Sequence, residues 1–155
     1  LGNGIRLNAI GQLDRLPPYV RLPLKGLMLD SKRNNSMVLN LALSYGSRAE
    51  IVNAIQTMAT HVRARRYKPE DITEEMVSSY LFTAGMPDPD LMIRTSGEMR
   101  LSNFLLWQCA YSELYVSELS WPEFRRPELE EAFRDYASRE RRYGKTGKQI
   151  RESKH

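Results

Sequence analysis

The sequence predicts an α/β fold, a mostly parallel sheet flanked by helices. Three observations carry that prediction. Short apolar runs at residues 5–10, 37–43, 91–93 and 114–116 alternate with segments of helical periodicity. The run Met37-Val38-Leu39-Asn40-Leu41-Ala42-Leu43 is nearly unbroken, as in a strand covered on both faces. The run Leu91-Met92-Ile93 leads straight into a polar loop that carries arginine, as strands do at the ligand-binding carboxyl edge of an open α/β sheet.

The elements follow in order. Ile5-Arg6-Leu7-Asn8-Ala9-Ile10 reads as a strand closed by Gly11. Residues 14–18 form a turn. Residues 19–33 are weakly helical, with Pro23 expected near the first turn. After the second strand, Ser47 opens a clear helix, and Ser47 and Glu50 have the spacing of a capping box. Ile51, Ile55, Met58 and Val62 should form its inner face. The helix runs into Arg63, Arg65, Arg66 and Lys68, where positive charge complements the macrodipole; ligand binding is the alternative for this cluster. Residues 73–84 form a shorter helix with Met76, Tyr80 and Leu81 inward, and residues 87–90 form a stiff linker. A strand at 114–116 and a last helix follow. Pro127 opens that helix, and Leu129, Phe133 and Tyr136 share one face. The expected organisation is one domain over residues 1–143 and a basic, polar tail over 144–155.

Composition narrows the function classes. With 155 residues, 41% apolar and 27% charged, the chain suits one globular domain. No run approaches the roughly 18 apolar residues of a membrane span, and no signal-peptide pattern opens the sequence. Cys109 is the only cysteine and adjoins the apolar run at 104–107. It is expected to be a buried, unreactive thiol. His61 and His155 are the only imidazoles, which excludes a Cys/His zinc site. The net charge of +4 suits nucleic acid, a membrane surface or a small polyanion equally. A nucleic-acid module would need interleaved basic and aromatic residues on a recognisable framework, and none is present.

The chemistry concentrates in Ile93-Arg94-Thr95-Ser96-Gly97-Glu98-Met99-Arg100-Leu101-Ser102-Asn103. Arginine presents a planar fork of donors to phosphate oxygens, serine and threonine add neutral donors, and Gly97 permits close backbone approach. The loop reads as a phosphate or diphosphate site. The plainer alternative pairs Arg94 and Arg100 with Glu98, Asp88 or Asp90 and leaves Ser102 as a helix cap. Glu113 is either a solvated carboxylate or a partner for a hard cation beside a diphosphate. The run Arg139-Glu140-Arg141-Arg142-Tyr143-Gly144-Lys145 is either a solvated helix end or a polyanion-binding arm.

Read together, these segments resemble one family. The string from Pro87-Asp88-Pro89-Asp90 through Arg94-Thr95-Ser96-Gly97-Glu98 and Arg100-Leu101-Ser102-Asn103-Phe104-Leu105-Leu106-Trp107-Gln108 is similar to the signature of cis-prenyltransferases. So are Tyr111-Ser112-Glu113-Leu114-Tyr115, Trp121-Pro122-Glu123-Phe124, the block from Leu39 to Ile51, and Arg141-Arg142-Tyr143-Gly144. The resemblance implies the undecaprenyl diphosphate synthase-like fold and a Mg²⁺-dependent enzyme. That enzyme condenses isopentenyl diphosphate with an allylic diphosphate to make a cis-polyprenyl diphosphate lipid carrier. It implies that Arg94, Arg100, Leu101 and Ser102 bind the isopentenyl diphosphate and that Glu113 is a Mg²⁺ ligand. In a homodimer, Arg142 and Gly144 would reach the partner's site. It also implies a cytoplasmic location, or a plastid one given an upstream transit peptide, with no nucleic acid and with peripheral membrane contact through the product.

Departures from the family pattern matter too. Met99 stands where some members have histidine, and Ser47 replaces a common glycine. The family's Asp-Gly-Asn-Gly-Arg-Trp and Asn-Trp-x-Arg-Pro segments do not occur in these residues. The expectation is therefore an N-terminally truncated fold, no catalytic residue on this chain, and no activity from the chain alone. A non-catalytic partner subunit of a hetero-oligomeric enzyme is the alternative.

Overall fold

The computed structural model describes residues 3–139. Its contacts divide the chain into two compact units, Leu1–Pro87 and Asp88–His155, with the boundary inside the predicted stiff linker.

In the first unit, β1 (Ile5–Ile10) and β2 (Met37–Ala42) pair in parallel, from Ile5 opposite Met37 to Ile10 opposite Ala42. Parallel pairing needs a crossover, which α1 (Pro18–Asp30) supplies. The outer edge of β1 is satisfied by the turn after α1. The Leu7 N–H donates to Ser31 Oγ at 3.0 Å, and Asn34 Nδ2 donates to the Ile5 carbonyl at 2.8 Å. Gly11 ends the strand at φ +113°, and a Cβ there would collide with the Leu43 carbonyl. Two expectations are corrected here. Pro23 lies inside α1, with Pro18 taking the N-terminal proline position. The start of β2 is open, with Met37, Val38 and Leu39 52, 54 and 46% exposed. The helix α1 packs on β1, and the three exposed residues, being consecutive, are uncovered on both faces of β2.

The helix α2 (Ser47–Arg63) begins where predicted, but by another device. Gly46 is the N-cap and Ser47 is the first helical residue, so the capping box does not form. Glu50 turns inward, fully buried. Its carboxylate accepts the Tyr45 hydroxyl at 2.5 Å and the Phe82 N–H at 2.7 Å. The buried stripe is Ser47, Glu50, Ala54 and Met58. Ile55, expected inside, is 58% exposed. Met58 is buried as expected, while Glu50 and Ala54 take the inward places expected of Ile51 and Ile55. The helix α3 (Glu74–Tyr80) is shorter than predicted, and Thr73 Oγ1 caps it by accepting the Met76 N–H at 3.2 Å. Arg66, from the basic cluster, hydrogen-bonds His61 Nε2 at 3.0 Å. Arginine can only donate, so Nδ1 carries the ring proton of neutral His61 and donates to the Tyr80 hydroxyl at 2.6 Å.

In the second unit, β3 (Leu91–Arg94) and β4 (Glu113–Val116) pair in parallel, Leu91 opposite Glu113 and Arg94 opposite Val116. The helix α4 (Arg126–Ser138) packs against β4. Its buried residue is Ala132, and Phe133, on the apolar face read from the sequence, is 54% exposed. Residues 95–112 contain no regular element, so Ser102 caps no helix. Both strand pairs are parallel, as predicted, but they form separate two-stranded sheets among the described residues.

Candidate functional site

The candidate site is built at the carboxyl end of β3. Arg94 is the last residue of the strand. Beyond it, Ser96 and Gly97 take left-handed conformations, φ +65° and +64°. The loop then folds back along the segment after β4. The Ser96 N–H donates to the Leu119 carbonyl at 2.8 Å, and the Gly97 N–H to the Ser117 carbonyl at 2.9 Å. A Cβ on Gly97 would stand 2.6 Å from Glu118 Oε2, a side-chain end that can move aside, so it is the positive φ that calls for glycine here. Ser102, Asn103 and Leu105 are also left-handed. Non-glycine residues pay for that conformation, and the backbone bonds to the 117–119 segment are what hold the loop in place.

Alternation along the strands sorts the side chains. Residues directly opposite in a sheet share a face, and the next residues take the other one. Met92, Arg94, Leu114 and Val116 therefore occupy one face. Leu91, Ile93, Glu113 and Tyr115 occupy the other. Met92, Arg94 and Leu114 line a cavity of about 280 Å³ together with Ile93, Arg100, Leu101 and Phe104. Its lining combines two arginines with five apolar side chains. Arg94 Nη2 reaches Ser102 Oγ at 3.4 Å, and Arg94 Nε is buried without a hydrogen-bond partner. The Glu98 carboxylate bridges the two guanidinium groups, pairing with Arg100 Nη2 and, at 3.9 Å, with Arg94 Nη2. Predicted residues Arg94, Arg100, Leu101 and Ser102 thus come together in one place. The ion pairing that the plainer reading expected is present too, through Glu98 alone of its three candidates among the described ion pairs.

Glu113 is not brought to them. It stands three residues back from the Arg94 end, roughly 10 Å along the strands, and on the opposite face. There Arg139 Nη1 donates to Glu113 Oε2 at 3.0 Å and to the Leu114 carbonyl at 3.0 Å, while Nη2 pairs with Asp135 at 2.6 Å. The bond to Glu113 is the main cause of a raised pKa at Arg139. Among the described residues no group of three or more His, Cys, Asp or Glu comes together. The described residues therefore supply no such ligand cluster for a magnesium ion at the Arg94 cavity. Met99, in place of the histidine of some family members, is 80% exposed. Arg142 and Gly144 lie outside the described residues.

Sequence reasoning missed the central position of Glu98 and the role of the 117–119 segment. The spacing of Arg94 and Glu98, four residues apart, was the available signal for the first. Nothing local signals a backbone clamp some twenty residues downstream. Cys109 is half-buried, and burial raises its thiol pKa, partly offset by a hydrogen bond with Ser112. The burial expected of it is thus only partial.

Comparison with known proteins places this geometry in a family. Residues 1–144 match the Prenyltransf family model, whose description is "Putative undecaprenyl diphosphate synthase". The chain is 51% identical to an isoprenyl transferase of Geobacter sulfurreducens over 148 residues, 96% of this chain and 60% of that protein. It is 50% identical to an isoprenyl transferase of Porphyromonas gingivalis over 155 residues, 99% of this chain and 61% of that protein. Among solved structures, lavandulyl diphosphate synthase from Lavandula x intermedia, in complex with dimethylallyl diphosphate, superposes with a TM-score of 0.88 at 37% identity. The match covers 91% of this chain and 61% of that one. A probable undecaprenyl diphosphate synthase from Campylobacter jejuni gives 0.77 at 37% identity, over 93% and 65%. The chain thus spans about three-fifths of the length of these relatives. No helix among the described residues is long and apolar enough to cross a membrane.

Proposed function

This chain belongs to the undecaprenyl diphosphate synthase family, and from that premise we propose that the whole protein is a cis-prenyltransferase joining isopentenyl diphosphate to an allylic diphosphate. The observation that carries the proposal is the cavity at the end of β3, lined by Arg94 and Arg100 and by apolar Met92, Leu101, Phe104 and Leu114, with Ser102 beside Arg94. An anionic head on a short hydrocarbon tail matches both halves. The arginines hold the diphosphate of isopentenyl diphosphate and the apolar wall takes its five-carbon body. Held so, the double bond is presented at a fixed position and the reaction loses its translational cost. The allylic carbon–oxygen bond breaks, with diphosphate leaving. A carbon–carbon bond forms from the isopentenyl double bond, and a proton departs from the new chain.

Mg²⁺ dependence is part of the proposal. Two diphosphates carry more negative charge than Arg94 and Arg100 neutralise, and their oxygens recruit a hard cation. Glu113 of the same chain, on the opposite face, is not assigned to that ion. A homodimer in the cytoplasm, with Arg142 and Gly144 reaching a partner's diphosphate, completes the reading, as does peripheral membrane contact through the product.

The test separates binding from turnover. The 155-residue chain is expected to bind isopentenyl diphosphate in calorimetry, and Arg94→Ala to abolish most of that heat. The absence of binding by the unmodified chain would overturn the site. With both diphosphates and Mg²⁺ present, no elongation is expected, since the 155 residues contain no Asp-Gly-Asn-Gly-Arg-Trp segment. Multiple turnover would refute that part.

A further inference from the structure

The geometry points to Glu98 as an internal occupant of the diphosphate site, whose carboxylate covers Arg94 and Arg100 and has to leave when a diphosphate arrives. This inference rests on the reading of that cavity as a diphosphate site. It goes further by naming the group that sets the site's affinity.

The placement is specific. Glu98 Oε2 pairs with both guanidinium groups at once, and that oxygen is sealed from solvent without a hydrogen-bond partner of good geometry. Arg100 is otherwise loosely held, its side chain 71% exposed, and Glu98 is its partner among the described ion pairs. Glu98 is aimed by its neighbour: Gly97, clamped through its N–H to the Ser117 carbonyl, fixes the backbone one residue before it. The Glu98 side chain is 32% exposed, which leaves it a route out without unfolding the loop.

Displacement follows from charge. A diphosphate seated on Arg94 and Arg100 needs the donors that Glu98 now faces, and a carboxylate left beside its oxygens repels them. Binding therefore draws on the fraction of molecules in which Glu98 has swung away, and the apparent dissociation constant is the intrinsic one divided by that fraction. Two partly exposed ion pairs are individually weak. Their combined effect on affinity is about fivefold.

The experiment is calorimetric titration of the chain with inorganic diphosphate at low, fixed ionic strength. Four variants accompany it: Glu98→Gln, Glu98→Ala, Glu118→Gln and Arg94→Ala. Glu118 is the control, since its carboxylate lies against Gly97 and pairs with neither arginine among the described ion pairs. Glu98→Gln and Glu98→Ala are expected to tighten diphosphate binding about fivefold, Glu118→Gln to change it less than twofold, and Arg94→Ala to lose it. If the unmodified chain binds and Arg94→Ala does not, while both Glu98 variants leave affinity unchanged or weaker, Glu98 is a positioning residue. The inference then fails while the site stands. If Glu118→Gln tightens binding as much as Glu98→Gln, the effect is general charge and the inference also fails. If neither the unmodified chain nor the Glu98 variants bind diphosphate, the site reading falls and takes this one with it.

Discussion

Glu50 offers the sharpest test of the fold, because the structure buries a carboxylate completely and gives it defined partners. Its oxygens accept the Tyr45 hydroxyl and the Phe82 N–H, tying the start of α2 to the turn that follows α3. The Tyr45 and Phe82 rings also meet edge to face at 6.3 Å. Glu50→Ala removes the acceptor of both donors and leaves a void. Each hydrogen bond to a charged group is worth about 1.5–3 kcal/mol, and donors left buried without partners add their desolvation cost. The expected loss is about 3–5 kcal/mol. For a chain of this size that lowers the midpoint of thermal unfolding by roughly 10 °C. Glu50→Gln keeps the shape and one acceptor oxygen for the Phe82 N–H, so its expected cost is about 1–2 kcal/mol. Urea unfolding followed by far-ultraviolet circular dichroism measures both. If Glu50→Ala unfolds within about 0.5 kcal/mol of the unmodified chain, the carboxylate is not the tie described here. If Glu50→Gln costs more than Glu50→Ala, the reasoning from shape and acceptors is wrong.

Two further predictions concern titration. Burial raises the Cys109 thiol, so at pH 8 it should react with iodoacetamide more slowly than free cysteine, and unfolding in urea should restore the ordinary rate; an equal rate in the folded chain would refute the burial. Tyr67 is pushed up to about 12, chiefly by desolvation and then by its hydrogen bond to Tyr80. Its ordinary value is 10.0, so folded molecules hold this proton when unfolded ones have lost it. The stability it contributes is complete below pH 10 and disappears as pH rises from about 10 to 12. Ultraviolet titration of the folded chain should show Tyr67 ionising late, alongside Tyr115, which burial also raises, and Tyr80→Phe should bring the Tyr67 transition down.

Much of the fold was legible because strands and turns are local matters. The limits of β1 follow from alternation and from Gly11, and Leu91-Met92-Ile93 announces β3. The inner faces of the helices were less legible. At α2 the periodicity of Ile51, Ile55, Met58 and Val62 placed Met58 correctly, but Glu50 and Ala54 are buried where Ile51 and Ile55 were expected. The packing there is decided by what small side chains admit and by Glu50, whose partners Tyr45 and Phe82 are set by tertiary structure. Phe133 and Ala132 repeat the lesson in α4: apolar spacing marks a helix, and close approach chooses which residue is covered. At the site, Arg94, Arg100 and Ser102 were readable from residue type because one short loop carries them all. Glu98 was visible only as one of several carboxylates. Its selection depends on the clamp between Gly97 and Ser117, which joins segments twenty residues apart.

Glu113 shows where motif reading and geometry part, and it supports one more prediction. Family resemblance places Arg94 and Glu113 in one catalytic arrangement. The register Leu91–Glu113 and Arg94–Val116 sets Glu113 three positions, an odd offset, from the partner of Arg94, so their side chains leave the sheet on opposite faces. No adjustment of rotamers undoes that parity; only a one-residue slip of β4 would, and it would expose Leu114 and bury Glu113 in the cavity instead. Within one chain the two residues should therefore act independently. A double-mutant cycle on inorganic diphosphate binding with Arg94→Lys and Glu113→Gln, the milder arginine change leaving affinity that can be measured, should give a coupling below about 0.5 kcal/mol. The cycle of Arg94→Lys with Glu98→Gln should exceed it, since those groups meet. A large Arg94–Glu113 coupling would mean that binding draws both residues to one diphosphate, which this strand register forbids within a single copy.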